Sequence, residues 1–247
     1  MSSGFFRSLV REAARRYPPK DRYARHFASG KLGRDPVFRH LLEHGLLAGE
    51  PCILDIGCGQ GNLAALLAAA RARHASGDWP ADWPAPPAPR EFRGIDLLAR
   101  DVARAQSALG AQARFTCGDM READFGEADA IVILDVLHYV DRDAQDDVLR
   151  RVRGALGAGG LLLLRIGAKS GSLRFRYTEW VDRIVMRLRG HRLTRLHGRA
   201  TDEWARALEA LGFRVEARPM SAGTGFANVL LVARLAGPCA SRGELAA

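Results

Sequence analysis

The sequence lacks any long apolar run. Across 247 residues, no apolar stretch approaches the roughly 18 residues that a membrane-spanning helix needs. The N-terminal residues Met1–Lys20 alternate apolar side chains with arginines and lack the apolar core of a signal peptide. The composition, with 47% hydrophobic and 26% charged residues, is typical of a globular chain. We therefore expect a cytoplasmic globular protein.

Cysteine is also scarce, and its spacing does not suggest a metal site. A structural zinc site needs four ligands at short paired intervals, and no CxxC or Cys/His pairing of that kind is present. We therefore expect no metal, and reduced thiols in a cytosolic protein. The four cysteines are Cys52, Cys58, Cys117 and Cys239.

Lysine is nearly absent from a basic chain. The formal net charge is +9, yet only Lys20, Lys31 and Lys169 are lysines, so arginine supplies most of the positive charge. The basic residues are concentrated in residues 1–50 and 165–199, while the rest of the chain is net acidic. Segregated charge of this kind can steer an anionic partner.

From Glu50 onward, short apolar runs alternate with helix-length amphipathic segments. Several of the runs have no period-two alternation, which is typical of strands covered on both faces of a parallel sheet. The last two predicted strands are joined by a linker too short for a crossover helix and are expected to form an antiparallel hairpin at the sheet edge. The predicted strands are Cys52–Ile56, Phe92–Ile95, Ala113–Thr116, Ala130–Leu134, Leu161–Ile166, Phe213–Ala217 and Asn228–Ala233. The predicted helices are Asn62–His74, Ala99–Leu109, Ala144–Leu156 and Thr201–Leu211.

Four segments lie outside this repeating pattern or interrupt it. Residues 1–49 are predicted to form a helical extension, and residues 236–247 a disordered tail. Residues 76–91 hold five of the chain's 11 prolines together with two tryptophans, which predicts an extended surface insertion. We expect this insertion to be a passive loop rather than a docking site. Residues 171–199 are predicted to form a basic amphipathic excursion from a core that spans residues 50–235.

The segment Ile53–Asn62, with the sequence ILDIGCGQGN, carries the strongest local signal. An apolar strand runs into a Gly-x-Gly-x-Gly turn that opens a helix. Glycines allow a ligand to approach the backbone closely, and the helix N-terminus offers free N–H groups. No Gly-Lys-Ser/Thr follows, so the segment is not a P-loop, and its third glycine comes one residue too early for a dinucleotide-binding fingerprint.

Acidic residues follow the next three predicted strands. Asp96, Asp119 and Asp135 each lie at or just beyond a strand end. Ligands of open α/β sheets bind outside the carboxyl ends of the strands, so these residues and the glycine turn are expected to converge on one cleft. A single acidic strand end is commonly a helix cap or turn residue, but four such motifs in order favour a ligand site.

These motifs resemble those of the class I S-adenosylmethionine (SAM)-dependent methyltransferases, over roughly Glu50–Leu235. The resemblance implies an α/β Rossmann-like fold with helices on both faces of a seven-stranded, mostly parallel sheet of order 3-2-1-4-5-7-6, in which strand 7 is antiparallel. It implies an enzyme that uses SAM, releases S-adenosylhomocysteine (SAH) and needs no metal. The residues that would bind the cofactor are Asp55, Gly57, Cys58, Gly59, Gly61, Asp96, Leu97, Asp119, Met120 and Asp135.

Within that resemblance, each part of the cofactor has an expected partner. Asp96 would accept the ribose hydroxyls, and Asp119 would accept a hydrogen bond from the adenine amino group. Met120 and Leu97 would pack on the two faces of the adenine ring. The stretch from Asp135 to Tyr139 would line the methionine end and the methyl-transfer site.

His138 and Tyr139 are the candidates for chemistry on the acceptor. Methyl transfer needs a general base only where the acceptor must lose a proton, and His138 titrates in the right range for that role. The alternative is a packed histidine that holds its loop through a hydrogen bond. Tyr139 is expected to be a wall of the acceptor pocket, since the pKa of a phenol is high.

Three short segments also resemble the methyltransferases that accompany bacterial aryl polyene (xanthomonadin-type) pigment synthesis. They are Lys31–Phe38, Leu134–Tyr139 and Gly223–Leu230. This resemblance implies bacterial secondary metabolism and an acceptor that is an aromatic head group or a carrier-bound acyl chain. The basic excursion and the N-terminal extension would then form a lid over an anionic acceptor.

Two other functions compete with this interpretation. The basic segment 165–199 is also compatible with an RNA methyltransferase, although no separate RNA-binding module is present. The same amphipathic stretch could anchor a non-catalytic, cofactor-binding protein at a membrane surface or in a scaffold. Liposome flotation and the salt dependence of nucleic-acid binding distinguish these functions from a soluble small-molecule enzyme.

Overall fold

The computed structural model describes residues 2–167, 197–221 and 228–237. The described chain opens with helices α1 (Ser2–Arg15), α2 (Arg22–Arg34) and α3 (Pro36–Glu43). An alternation of strands and helices follows: β1 (Cys52–Ile56), α4 (Asn62–Ala75), β2 (Glu91–Asp96), α5 (Ala99–Leu109), β3 (Arg114–Cys117), β4 (Ala128–Leu134), α6 (Arg142–Ala155), β5 (Leu156–Gly167), α7 (Thr201–Ala210), β6 (Phe213–Pro219) and β7 (Asn228–Leu235).

The described strands form one seven-stranded sheet of order β3-β2-β1-β4-β5-β7-β6. β1 pairs in parallel with both β2 and β4, and β7 runs antiparallel to both β5 and β6. This confirms the predicted strand order and the antiparallel hairpin. β1 therefore lies inside the sheet, and its carboxyl end is flanked by the ends of β2 and β4.

The central strands are buried on both faces, as their continuous apolar sequence predicts. In β4, Ala130 and Val132 point into one core, while Ile131 and Ile133 point into the other. Helices α1 to α5 contribute to the first core, and α6 and α7 to the second. The predicted helix Ala144–Leu156 in fact spans Arg142–Ala155, because Asp141 caps its N-terminus by accepting the Ala144 N–H at 2.9 Å.

The N-terminal helices pack into the first core. α1 presents a helically spaced apolar stripe toward α4, whose first nine residues are buried apart from the half-buried Ala68. Alanine makes up much of α4, so the neighbouring helix and the sheet can approach it closely. The stripe on α1 comprises Phe6, Leu9, Val10 and Ala13.

The proline-rich insertion 76–91 is packed against α1. The Phe5 ring meets the rings of Trp79 and Trp83 edge to face, with centroids 5.6 and 5.7 Å apart. Trp83 is only 7% exposed. A passive surface loop would leave its tryptophans in solvent, whereas this insertion fastens α1 to the rest of the domain through an aromatic cluster.

Several predicted features lie outside the described residues. They are most of the basic excursion 171–199, the Gly223–Gly225 part of the final hairpin and nearly all of the tail 236–247. Within the described part of the chain, no helix has the length and apolarity needed to cross a membrane.

Candidate active site

The glycine turn connects β1 to α4 and is hydrogen-bonded to the carboxyl end of β2. Gly57, Gly59 and Gly61 all have φ between +56° and +79°, a region that favours glycine. The N–H groups of Gly57 and Cys58 both donate to the carbonyl of Ile95, at 2.7 and 3.1 Å. A side chain at Gly57 would collide with Val136, whereas one at Gly59 would meet no atom within 4 Å. The middle of the turn therefore borders open space.

Asp96 completes the junction between these two strand ends. Its Oδ2 accepts the N–H of Gly59 at 2.8 Å, and its Oδ1 accepts the N–H of Leu98 at 2.9 Å. The carbonyl of Asp96 also accepts the N–H of Gly118, just beyond β3, at 3.0 Å. Three neighbouring strand ends thus meet at Asp96. Beside it, Leu97 is 54% exposed, which is unusual for a large apolar side chain in the described part of the chain.

Asp55 lies in β1, just below the glycine turn, and is only 4% exposed. Burial, together with the nearby charge of Asp96, raises the pKa of Asp55 to about 7. A position that the resemblance assigns to the cofactor site is therefore held by a carboxyl that is close to half-protonated at neutral pH.

The third strand tip carries Asp119. In this structure, the guanidinium of Arg121 donates to both oxygens of Asp119, the shortest contact being 2.6 Å. These hydrogen bonds lower the pKa of Asp119. Met120 follows and is partly buried, and its carbonyl accepts a hydrogen bond from Arg151 of α6 at 2.9 Å.

Asp135, at the end of β4, belongs to a four-member ion cluster. Arg165 Nε donates to Asp135 Oδ1 at 2.8 Å, and Arg165 Nη2 donates to Asp35 Oδ2 at 2.7 Å. Lys31 Nζ lies 2.9 Å from Asp35 Oδ2 and 3.3 Å from Asp135 Oδ2. Burial alone would raise the pKa of Asp135, but Arg165 and Lys31 outweigh it and hold the pKa well below its ordinary value. Asp135 is therefore an anion.

The backbone of Asp135 is strained. Among the described residues it is the only one other than glycine with a left-handed φ, at +60°. Asp tolerates this region better than most residues, yet the conformation still costs about 1–3 kcal/mol. Strain of this kind persists only where the surroundings enforce it, and here the ion cluster does so.

His138 and Tyr139 lie in a short 3-10 turn after Asp135, with ring centroids 4.3 Å apart. Burial lowers the pKa of His138, and the charge of Asp135 opposes this only in part. The carbonyl of His138 accepts the N–H of His197 at 2.9 Å, which connects this turn to the chain leading into α7. His138 is therefore neutral at pH 7, the form that can accept a proton.

The N-terminal helices reach the glycine turn through a buried hydrogen-bond network. Tyr17 Oη donates to the carbonyl of Gln60 at 2.9 Å and also contacts Asn62 Oδ1 at 3.0 Å. Gln60 Nε2 donates to the carbonyl of Ala24 in α2 at 2.8 Å. Residues from well before the motif region thus help to fix the turn.

The structure brings the predicted residues together at one edge of the sheet and adds residues that the sequence analysis did not assign to the site. These added residues are Arg165, Asp35, Lys31, Tyr17 and Gln60. One signal was available, because an arginine inside the apolar run of β5 requires buried acidic partners. Those partners lie 30 and 130 residues away along the chain. The sequence around Arg165 therefore does not identify them.

Comparison with known proteins agrees with this architecture. A family model described as a methyltransferase domain matches residues 54–162, from β1 into β5. The sequence has no significant match among curated proteins.

Solved structures share the fold at low sequence identity. An O-methyltransferase family protein from Burkholderia thailandensis is 19% identical, with a TM-score of 0.59 over 89% of this chain and 62% of its own. Human N-acetylserotonin methyltransferase, solved in complex with SAM, is 17% identical, with a TM-score of 0.57 over 85% of this chain and 54% of its own. Magnesium protoporphyrin IX methyltransferase from Synechocystis PCC 6803, solved with bound SAH, is 19% identical, with a TM-score of 0.58 over 95% of this chain and 98% of its own.

This chain thus spans less than two thirds of the first two proteins and nearly all of the third. The domain match and these likenesses confirm the resemblance to class I methyltransferases and the predicted fold. The resemblance to the aryl polyene enzymes stays a prediction.

Proposed function

We propose that this protein is a SAM-dependent methyltransferase that acts on a small-molecule or carrier-bound acceptor. The observation that carries the proposal is the junction at Asp96. There a carboxylate at one strand tip accepts the N–H of Gly59 at 2.8 Å, so the two groups expected to bind a nucleoside lie side by side. Because residues 54–162 match a methyltransferase domain, the nucleoside expected at this junction is that of SAM.

The surroundings of this junction fit a nucleoside cofactor. The open space above Gly59 gives a ligand access to the backbone of the turn. Asp96 would accept the ribose hydroxyls, as carboxylates do at this position of doubly wound sheets. The exposed side chain of Leu97 supplies an apolar face beside it, which adenine would cover.

Asp119 and Met120 would complete the adenine subsite. Asp119 is kept ionised by Arg121, so it is an acceptor that suits the adenine amino group. The side chain of Arg121 is 57% exposed, so it has room in solvent to turn away and free one carboxylate oxygen for the adenine amino group. Met120 offers a polarisable surface for the ring.

The residues of the cleft would promote the reaction mainly by alignment. Bound SAM would supply a methyl group on a sulfonium that leaves as a neutral thioether. The glycine turn and the strand tips would fix the direction of that methyl group relative to the acceptor. Orientation of this kind lowers barriers by up to roughly 7–11 kcal/mol in favourable cases.

Proton transfer, where the acceptor requires it, would fall to His138. Its pKa is lowered by burial, so it is neutral and able to accept a proton at pH 7. Asp135 does not suit this role, because Arg165 and Lys31 hold its pKa low. Tyr139 would form a wall of the acceptor pocket.

The acceptor is proposed to be aromatic and anionic or attached to a carrier. The support is the segregation of basic residues into segments 1–50 and 165–199 and the resemblance to aryl polyene methyltransferases. Turnover on an anionic acceptor should slow as salt is added, because screening weakens attraction at a distance. Rapid, salt-insensitive turnover of a neutral phenol would contradict the charge assignment.

Titration calorimetry with SAH tests the proposed cofactor site. Wild type is expected to bind SAH, and Asp96→Asn to bind it about 10- to 100-fold more weakly, since a hydrogen bond to a charged group contributes about 1.5–3 kcal/mol. Asparagine keeps one acceptor for the N–H of Gly59 or Leu98, so the turn should hold its shape.

Asp82→Asn is the matched control, because Asp82 is an exposed acid in the insertion, outside the cleft. It should bind SAH as wild type does. Absence of SAH binding by wild type would overturn the proposed function, while equal affinity of wild type and Asp96→Asn would remove Asp96 from the site.

A further inference from the structure

Gln145, in the first turn of α6, is fully buried, and its side-chain amide is surrounded by backbone carbonyl groups. Its Nε2 lies 2.7 Å from the carbonyl oxygen of His197, 3.0 Å from that of Val140 and 3.2 Å from that of Leu137. An amide oxygen at this place would face three acceptors with no hydrogen to donate, so the surroundings fix which way the amide points.

Two of these carbonyl groups bracket the turn that carries His138 and Tyr139. Leu137 comes directly before His138, and Val140 directly after Tyr139. Between them, the carbonyl of His138 accepts the N–H of His197 at 2.9 Å. Within the turn, the bond from the Val140 N–H to the Leu137 carbonyl is long, at 3.4 Å. The turn therefore depends on α6 and on the chain entering α7 for its position.

Arg199 holds the amide of Gln145 from its other side. The side chain of Arg199 is buried, and its Nε donates to Gln145 Oε1 at 2.7 Å. Its Nη1 donates to Asp146 Oδ1 and its Nη2 to the carbonyl of Arg142, both at 2.7 Å. The guanidinium also lies 5.0 Å from the ring centre of Trp204 in α7. Because a guanidinium is planar and all three of its nitrogens have partners on α6, Arg199 fixes the plane of the Gln145 amide.

Packing alone does not account for an amide at this position of α6. The other buried residues of this helix are Val148, Leu149 and Val152, which are apolar and face the second core. A buried amide is costly unless its hydrogen bonds are made. The side-chain bonds of Gln145 go to the turn of His138 and to residues 197 and 199, so its polarity serves the connection between these two parts of the chain.

We propose that Gln145, held by Arg199, is a positioning residue for His138 and couples this candidate base to the chain that enters α7. The inference rests on the proposed function, in which His138 accepts a proton, and adds two residues that act through the backbone of the turn. Residues 197 and 199 belong to the predicted basic excursion 171–199. A shift of the end of that excursion would therefore also move the base.

NMR titration of the His138 imidazole in the full chain tests the proposal, with the signal assigned by its loss in His138→Asn. Burial lowers the pKa of His138, against the charge of Asp135. Gln145→Met removes the bonds that hold the turn, so water should reach the imidazole and its pKa should rise toward the ordinary value of histidine. Arg199→Met should cause a rise in the same direction, although the hydrogen bonds of Arg199 go to α6 and not to the turn.

Hydrogen exchange and ligand binding show whether the effect is local. The amide hydrogens of Val140 and His197 should exchange about tenfold faster or more in each variant, the effect of losing a buried hydrogen bond, while those of β1 should exchange as in wild type. The double variant should resemble Gln145→Met, because Arg199 acts through Gln145. SAH affinity should stay within about twofold of wild type, since Asp96 and the glycine turn are unchanged.

A matched control applies the same substitution to another amide. Gln106 Nε2 donates to the carbonyl of Gly110 at 2.8 Å, at the end of α5. Gln106→Met should leave the pKa of His138, the exchange of its turn and the SAH affinity as in wild type. Should Gln145→Met fail to fold, Gln145→Asn gives the same measurements, because it keeps an amide but is one methylene too short to reach the carbonyl groups.

A rise in the pKa of His138 with local loss of protection supports the proposal. An unchanged pKa in the Gln145 variant overturns it, and an unchanged pKa in Arg199→Met overturns the coupling through Arg199. Faster exchange in β1, or a parallel loss of SAH affinity, also overturns it, because either result would mark a purely structural role. If wild type does not bind SAH, the proposed function itself fails, whatever the variants do.

Discussion

At the scale of single residues, Asp55 shows how burial sets the charge of a side chain. Its pKa is raised to about 7 by burial and by the charge of Asp96, from an ordinary value of 3.8. The folded state therefore holds a proton on Asp55 that the unfolded state releases at lower pH. The contribution to stability is complete below pH 4 and is lost as the pH rises through 7.

Asp55→Asn should remove this pH dependence. Between pH 4.5 and pH 8, the free energy of unfolding of wild type should fall relative to that of the variant by on the order of 2–4 kcal/mol, since each pKa unit corresponds to about 1.4 kcal/mol. Urea unfolding of the ligand-free protein at the two pH values measures the difference. The control is Asp82→Asn, which replaces an exposed acid, and its free energy of unfolding should depend on pH as that of wild type does. Parallel pH profiles for wild type and Asp55→Asn would show that Asp55 does not titrate in this range.

At the scale of elements, the insertion 76–91 acts as a clamp on α1. Trp83 is buried against Phe5, and Trp79 packs on both rings. Because the contact joins residues nearly eighty positions apart, it stabilises the placement of α1 rather than its helical conformation.

Trp83→Ala should therefore loosen α1 as well as lower stability. Removing a buried tryptophan costs about 3–5 kcal/mol. Urea unfolding should show this loss, and limited proteolysis should cut within residues 2–15 faster than in wild type. Leu97→Ala, at a residue already 54% exposed, should change the free energy of unfolding by less than about 0.5 kcal/mol. Unchanged proteolysis in Trp83→Ala would show that the clamp does not hold α1.

Local pattern was sufficient to predict the strands and helices of the α/β region along the chain, whereas the order of the strands within the sheet was predicted from the family resemblance. The apolar runs of β4 and β5 and the glycine turn after β1 each have a short-range signature, and the brief final linker predicted the antiparallel hairpin. The placement of α1 and α2 has no such signature, because it depends on pairs such as Phe5 with Trp83 and Tyr17 with Gln60. Likewise, the acids at the strand tips were predictable as a set, whereas the pairing of Asp135 with Arg165 was not.

At the scale of the whole molecule, residues 1–49 are part of the hydrophobic core. α2 is tied to α5 by Asp21 and Arg104 at 2.8 Å, to the glycine turn through Ala24, and to β5 by Asp35 and Arg165. α2 thus connects three parts of the carboxyl edge of the sheet. The predicted role of this segment as a lid over the acceptor stays a proposal, but its place in the fold is structural.

Deletion of residues 1–49 should therefore abolish cooperative unfolding. The apolar face of α4 that α1 covers would be open to water, and the buried Arg165 would lose one of its two carboxylate partners. Differential scanning calorimetry and binding of a hydrophobic dye are the appropriate measurements. A truncated protein that melts in a single sharp transition near the wild-type temperature would show that the segment is an independent appendage.

The bond between Asp35 and Arg165 also has a consequence for biosynthesis. The two residues are 130 positions apart, so at about 5–20 residues per second the ribosome delivers Arg165 on the order of ten seconds after Asp35. Throughout that interval the nascent chain carries the apolar stripe of α1 and an acid whose buried partner has not been made. We therefore expect the contact between α2 and β5 to form only after β5 has been synthesised, whereas α1 can already pack on α4.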